Sequence, residues 1–397
     1  MRILVHDYAG HPFQVQLSRA LAGAGHTVTH LYASFFQTPH GALTRKPADA
    51  PQFSVRGVNI TTQFTKHSFF RRRFQEVEYG TILVREVEAF KPDVVISANT
   101  PLDPQKAILE TCRRRGIRFI FWLQDAQGLA MMRLLPKRLP ILGHAVGWHY
   151  RRLEHRIALE SDHVVAITED FRPLLRSWGV PDSRISVIEN WAPLDEVQPC
   201  QKDNNWSRAQ HVADKFCILY SGTLGMKHNP NLLLRLACEF RHDDNIRVVV
   251  ISEGPAAAWL TEKKRQLQLA NLQILGFQPF EIMAQVLGAA DVLAAILEPD
   301  AGMFSVPSKV LTYLCAERPL LLAVPTENLA ARIVTTAGAG VVVRPDDEEG
   351  FVREARGLLE SPTTRNKMAA RGRSYAAQTF DIVGKRKTFE AIFSKSQ

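Results

Sequence analysis

The sequence predicts an α/β protein made of two successive doubly wound units, each a parallel sheet with helices on both faces, opposed across a cleft. Three observations predict it. Short apolar runs, continuous rather than alternating, take turns with helix-like stretches, which is how strands buried on both faces read. The alternation stops at a polar stretch near the middle and then resumes. The 397 residues exceed what one core serves, since a domain takes roughly 150.

In the first half, strand-like runs at 3–5, 26–32, 94–97, 119–122 and 164–167 are separated by helix-like stretches such as 13–24 and 107–115. This half closes on Ile185-Ser186-Val187-Ile188-Glu189-Asn190. The stretch 193–213 has no apolar period and carries Pro199, Asn204 and Asn205, a loop composition. It places domain boundaries at 1–195, a linker at 196–214 and a second domain at 215–377. Strand-like runs at 217–220, 247–251, 272–275, 292–296, 320–324 and 341–343 then alternate with helical stretches at 232–238, 259–269 and 309–315. Open α/β sheets of this kind bind ligands at the carboxyl ends of their strands.

Composition narrows the class. With 46% hydrophobic and 22% charged residues the chain is globular, and it lacks a run of 18 apolar residues, which argues against a spanning helix. The opening Met1-Arg2-Ile3-Leu4-Val5-His6-Asp7 reads as a buried strand and not as a signal peptide, so a cytoplasmic location is expected. Five scattered cysteines without C-x-x-C spacing indicate packed thiols and neither a disulfide framework nor a zinc site. The net charge of +9 calls for an acidic partner. Arg133, Lys137, Arg138, Arg151 and Arg152 surround an apolar segment with Trp148, a mixture that suits an anionic membrane interface or a packed helix with snorkelling arginines. No nucleic-acid motif accompanies the basic residues.

Two stretches carry chemistry. Tyr220-Ser221-Gly222-Thr223-Leu224-Gly225-Met226-Lys227 runs from a strand through a glycine-rich turn to a basic residue. Glycines would let amides approach phosphate while a lysine supplies charge; the same spacing also makes a plain strand-to-helix turn, and spacing does not choose. The second follows the strand at 292–296: Glu298-Pro299-Asp300-Ala301-Gly302-Met303-Phe304-Ser305-Val306-Pro307-Ser308-Lys309. Amides, the Ser308 hydroxyl and Lys309 could converge on an anion, or Pro307-Ser308 could simply start a helix.

With Gly10-His11-Pro12, Gly25-His26-Thr27-Val28, Ile188-Glu189-Asn190-Trp191, Glu253-Gly254-Pro255 and Leu314 to Pro319, these motifs fall in one order along the chain. That order resembles the bacterial family 4 glycosyltransferases of the GT-B fold, of the type that makes cell-surface polysaccharides. The resemblance implies retaining, metal-independent transfer of a sugar from a nucleoside-diphosphate donor to a lipid-linked or oligosaccharide acceptor, with no cofactor. It implies that Gly222, Gly225 and Lys227 lie near the diphosphate with Ser308 and Lys309 on its other side, and that Ser221, Thr223, Glu253, Ser305 and Thr312 line the same site. Gly10 and His11 would approach from the first domain, and a last helix at 378–397 would pack back onto that domain.

Departures accompany the likeness. The family's paired glutamates fall at Phe304 and Thr312, and Glu317 stands for a glycine. Glu298 is the substitute candidate for contacting the sugar. Asp125, at the end of the strand-like run 119–122, could orient or deprotonate the acceptor hydroxyl, or cap a turn. The lipid-linked acceptor implied by the family favours a peripheral seat on the inner face of the cytoplasmic membrane for the segment 134–153. Two other functions compete: a nucleotide-sugar epimerase of the same architecture, and a non-catalytic nucleotide- or glycan-binding scaffold.

Overall fold

A computed structural model describes residues 1–35, 41–62, 69–136, 139–225, 228–299 and 306–394. It resolves into two compact units. One comprises Met1–Asn190 together with Asp381–Gln397, and the other Trp191–Phe380.

The first unit carries β1 (Arg2–Asp7), β2 (Thr27–Ala33), β3 (Phe53–Val58), β4 (Val94–Ala98), β5 (Arg118–Leu123), β6 (His163–Ala166) and β7 (Ile185–Val187). They form one sheet in the order β3-β2-β1-β4-β5-β6-β7, parallel throughout. Strands β4 and β6 are buried at every position, as expected of a sheet covered on both faces. The chain order reverses between β1 and β4, and at such a switch point the loops leave the strand ends in opposite directions and open a crevice.

The second unit carries β8 (Phe216–Ser221), β9 (Ile246–Ile251), β10 (Leu272–Leu275), β11 (Val292–Ile296), β12 (Leu320–Ala323) and β13 (Gly340–Val343). Their order is β10-β9-β8-β11-β12-β13, again parallel. Its switch point lies between β8 and β11. The core of this unit joins Ile218, Val248, Val250 and Ile296 from the strands to Leu233, Leu236, Leu260 and Phe351 from the helices.

The stretch expected as a linker, 196–214, lies inside the second unit. It holds the short helix Asn205–Ala209, closed by a capping box in which Asn204 and Ser207 serve each other's backbone, and its Trp206 and Val212 are buried. Near the end of the chain, helix Pro362–Thr379 stays in the second unit and helix Ile382–Ser394 belongs to the first. The latter buries Phe389, Ile392 and Phe393. The Phe389 ring meets Trp122 of β5 edge-on at 4.9 Å, and Arg118 donates to the Phe393 carbonyl at 3.0 Å.

Candidate active site

The second unit's switch point gathers most of the residues expected to hold a donor. Strand β8 ends on Tyr220 and Ser221, and helix Lys309–Cys315 follows the loop after β11. Tyr313, one turn along that helix, clips the end of β8: its hydroxyl accepts the Ser221 N–H at 2.9 Å and donates to the Ser221 carbonyl at 3.0 Å. Lys309 lies over the Tyr220 ring, its Nζ 3.8 Å from the centroid, and donates to the Tyr220 hydroxyl. That hydroxyl donates onward to the Thr223 carbonyl at 2.8 Å. Burial, and then the neighbouring Tyr313, raise the Tyr220 phenol well above its ordinary range. The contact is therefore between a cation and a neutral phenol, which holds the ammonium without cancelling its charge.

Gly222 makes room for this. Its φ of +130° suits a residue without Cβ, and a Cβ there would sit 3.0 Å from Lys309 Nζ. The spacing left open whether the turn's amides face a phosphate or serve a plain strand-to-helix turn. In the structure the Gly222 amide goes to the Ile251 carbonyl at 2.9 Å, the Leu224 amide to Ser252 Oγ at 3.1 Å, and the Gly225 amide to His228 Nδ1 at 3.0 Å. The turn is held by its own sheet, and Gly222 contributes space.

Around this centre, Ser308 precedes the helix but makes no side-chain cap, and Thr312 is half-buried one turn further on. Glu253, after β9, accepts the Phe277 N–H at 3.1 Å, which ties it to the loop after β10. Glu298 is half-buried two residues beyond β11. Lys227 and Ser305 lie outside the described residues, as does Phe304. Glu317, where the family motif has glycine, has φ +54°, so it occupies the left-handed conformation that glycine adopts without strain.

At the first unit's switch point, Gly10 turns the chain after β1 with φ +70°. Asp7, fully buried, accepts from the Ala9 amide at 3.1 Å, the His11 amide and Asn99 Nδ2 at 3.4 Å. These bonds fix the turn that carries Gly10 and His11. His6 is packed away from solvent against Tyr79 and Thr100, 2.9 Å from each hydroxyl, and burial lowers its pKa to about 3. It is a neutral core residue and not a lining one.

Asp125 stands two residues past β5, half-buried. The preceding Gln124 pairs with Asn190 through both amide groups, at 2.6 and 3.2 Å, which gives the Ile188-Glu189-Asn190-Trp191 motif a physical role: it secures the strand end that presents Asp125. Asp125 borders a small polar cavity of about 10 Å3, and the Glu154 carboxyl reaches it from helix Pro140–Glu160. Sequence reasoning passed over Glu154. It is fully buried, and burial raises its pKa to about 8 against bonds from the Gly128, Leu129 and Gln127 amides.

Two all-parallel doubly wound units, each with its switch point, are the architecture of the GT-B fold. Residues 11–191 match the model of the Glycosyl transferase 4-like domain and residues 202–375 that of Glycosyl transferases group 1. The chain belongs to the glycosyltransferases that join these two domains, as the family 4 motifs indicated. It is 26% identical over 205 residues to the probable glycosyltransferase WbjE of Pseudomonas aeruginosa, a match covering 51% of each chain. To the D-inositol 3-phosphate glycosyltransferase of Nocardiopsis dassonvillei it is 26% identical over 245 residues, 57% of this chain and 54% of the other. The chain thus spans about half the length of the curated relatives it matches. Anabaena HepE in complex with UDP-glucose shares the fold with TM-score 0.74 at 13% identity, over 99% of both chains.

Proposed function

We propose that this glycosyltransferase moves a sugar from a nucleoside-diphosphate donor, with retention at the anomeric carbon and without a metal, onto a lipid-linked or oligosaccharide acceptor in cell-surface polysaccharide synthesis. The observation that carries the reading is Lys309 lying on the neutral Tyr220 ring above Gly222. A departing nucleoside diphosphate gains negative charge, and a preorganised ammonium stabilises it as it forms. The UDP-glucose held by HepE supports a donor of that class. On the acceptor side, Asp125 is the carboxylate that would orient the attacking hydroxyl, and Glu298 would touch the sugar from the end of β11.

The same reading includes a peripheral seat on the inner face of the cytoplasmic membrane. Ile141 is 91% and Trp148 57% exposed on helix Pro140–Glu160, and Arg152 lies 5.2 Å over the Trp148 ring. Between 140 and 159 the sole acidic residue is Glu154, which is buried. An apolar face edged by arginines without carboxylates suits anionic headgroups. Among the described residues no helix is long and apolar enough to cross a membrane.

The test is thermal unfolding of the whole chain with a panel of nucleoside diphosphates and their sugars in EDTA, repeated on Lys309→Ala. Ligand at a hundredfold excess over Kd contributes about 2.7 kcal/mol, a rise of about 5–10 °C for units of this size. A base-selective rise that shrinks in Lys309→Ala, whose unliganded Tm reports its folding, is expected. No rise with any nucleotide overturns the donor reading. Acceptors are then compared as lipid-linked saccharide, free oligosaccharide and inositol phosphate, with the product's anomeric configuration read by NMR.

A further inference from the structure

The carboxyl ends of β4 and β5 enclose a group that the transfer reaction sketched above leaves unused. Glu154 rises from helix Pro140–Glu160 into the N-terminal end of helix Gln127–Leu134, where its Oε2 accepts the Gly128 N–H at 3.1 Å. Gly128 allows the approach: a Cβ there would fall 2.6 Å from the Tyr150 carbonyl. Two further glycines, Gly143 and Gly147, press the same helices together, each with backbone of the 127–136 stretch 2.6 Å from where a Cβ would be. The carboxyl is therefore pinned on one side by packing. Its other oxygen, Oε1, is buried without a hydrogen-bond partner, and Glu154 lines a cavity of about 10 Å3 together with Asn99, Thr100, Gln124, Asp125 and Gln127.

That volume accommodates about one water, and the lining offers the several polar partners a buried water requires. Directionality follows from the donors. Backbone amides can only donate, so they take Oε2, and a protonated carboxyl then carries its hydrogen on Oε1. Burial keeps that proton in place up to about pH 8, with the charge of Asp125 adding to the effect. The other groups around the carboxyl, from the ends of β4 and β5 and from the start of helix Gln127–Leu134, are the uncharged Asn99, Thr100, Gln124 and Gln127. Glu154 can thus donate into the cavity, and a water there can donate onward to a carboxylate.

We propose that Glu154 is a positioning residue for Asp125: one water in this cavity accepts from the buried Glu154 carboxyl and donates to the Asp125 carboxylate, fixing it where an acceptor hydroxyl would meet it. The proposal rests on the reading of Asp125 as the acceptor-side carboxylate. No proton changes owner in this chain of bonds. Loss of the Glu154 proton removes the donor that orients the water and sets a second negative charge beside Asp125.

The 397-residue chain, labelled with 13C at aspartate carboxyls, is titrated by NMR between pH 5 and 10, with the Asp125 resonance assigned by its loss in Asp125→Asn. The Asp125 signal is expected to move as Glu154 ionises near pH 8, and in Glu154→Gln that movement disappears while the fold, checked by thermal unfolding, persists. A crystal structure at pH 6.5 should hold one water bonded to both carboxyls. An Asp125 signal identical in wild type and Glu154→Gln, or a cavity without a water reaching Asp125, overturns the proposal. Failure of the underlying reading looks different: Asp125→Asn would transfer sugar to its acceptor as fast as wild type, although the wild-type protein kept the Glu154-dependent movement of its Asp125 signal.

Discussion

Replacing Glu154 by glutamine should change how stability depends on pH more than it changes stability at any one pH. In the unfolded chain a glutamate ionises near 4.5, while in the folded protein burial holds the Glu154 proton to about pH 8. Between those values the folded state binds one proton more than the unfolded state at this position. Stability contributed by the protonated acid is therefore fully present below pH 4.5 and lost as pH rises toward 8, at about 1.4 kcal/mol per unit. Glutamine keeps an oxygen for the Gly128 amide and has no proton to lose, so its stability lacks this slope. For a unit of this size the gap in Tm should shift in favour of Glu154→Gln by about 3–6 °C for each pH unit between 5 and 8, and level off above. Calorimetry of both proteins at unit pH steps measures it. Any constant offset reflects how well the amide's extra N–H groups fit the cavity and does not bear on the argument. Parallel curves for the two proteins would refute a neutral buried Glu154.

Two further perturbations probe other parts of the molecule. Gly222→Ala places a methyl 3.0 Å from Lys309 Nζ at φ +130°, so it should cost about 1–3 kcal/mol and diminish the nucleotide-induced rise in Tm; unchanged stability and nucleotide binding would contradict the spacing role of Gly222. On the membrane face, sedimentation with phosphatidylglycerol vesicles at low salt should exceed that with phosphatidylcholine and fall in Ile141→Ser/Trp148→Ser, and failure of wild type to pellet with anionic vesicles would end the membrane reading.

Strands buried on both faces were legible because their apolar runs are continuous: β4, β5, β8, β11 and β12 lie within a residue or two of the positions read from the sequence. Edge strand β3 was not, since Arg56 and Gly57 are exposed and break the run. Helix Phe69–Phe90, which opens with Arg71, Arg72 and Arg73, has no counterpart among the stretches read from the sequence. In the polar middle, Asn204 and Ser207 held a readable capping signal that the absence of an apolar period concealed. The glycine turn was found from its spacing, yet its purpose could not be, because it depends on a lysine 87 positions away in the chain. Glu154 was illegible for a related reason. Next to Arg151, Arg152 and His155 a glutamate looks like one more solvated charge, and only the close helix contact made by three glycines buries it.

Because the first unit takes its final helix from beyond Phe380, the order of synthesis bears on how the protein forms. A ribosome that has finished Asn190 must make all of Trp191–Phe380 before Phe389 exists to cover Trp122, a delay of about 10–40 s at ordinary elongation rates. The second unit is continuous in the chain and can close during that interval. The first must wait with Trp122 packed against Phe13 but not yet against Phe389.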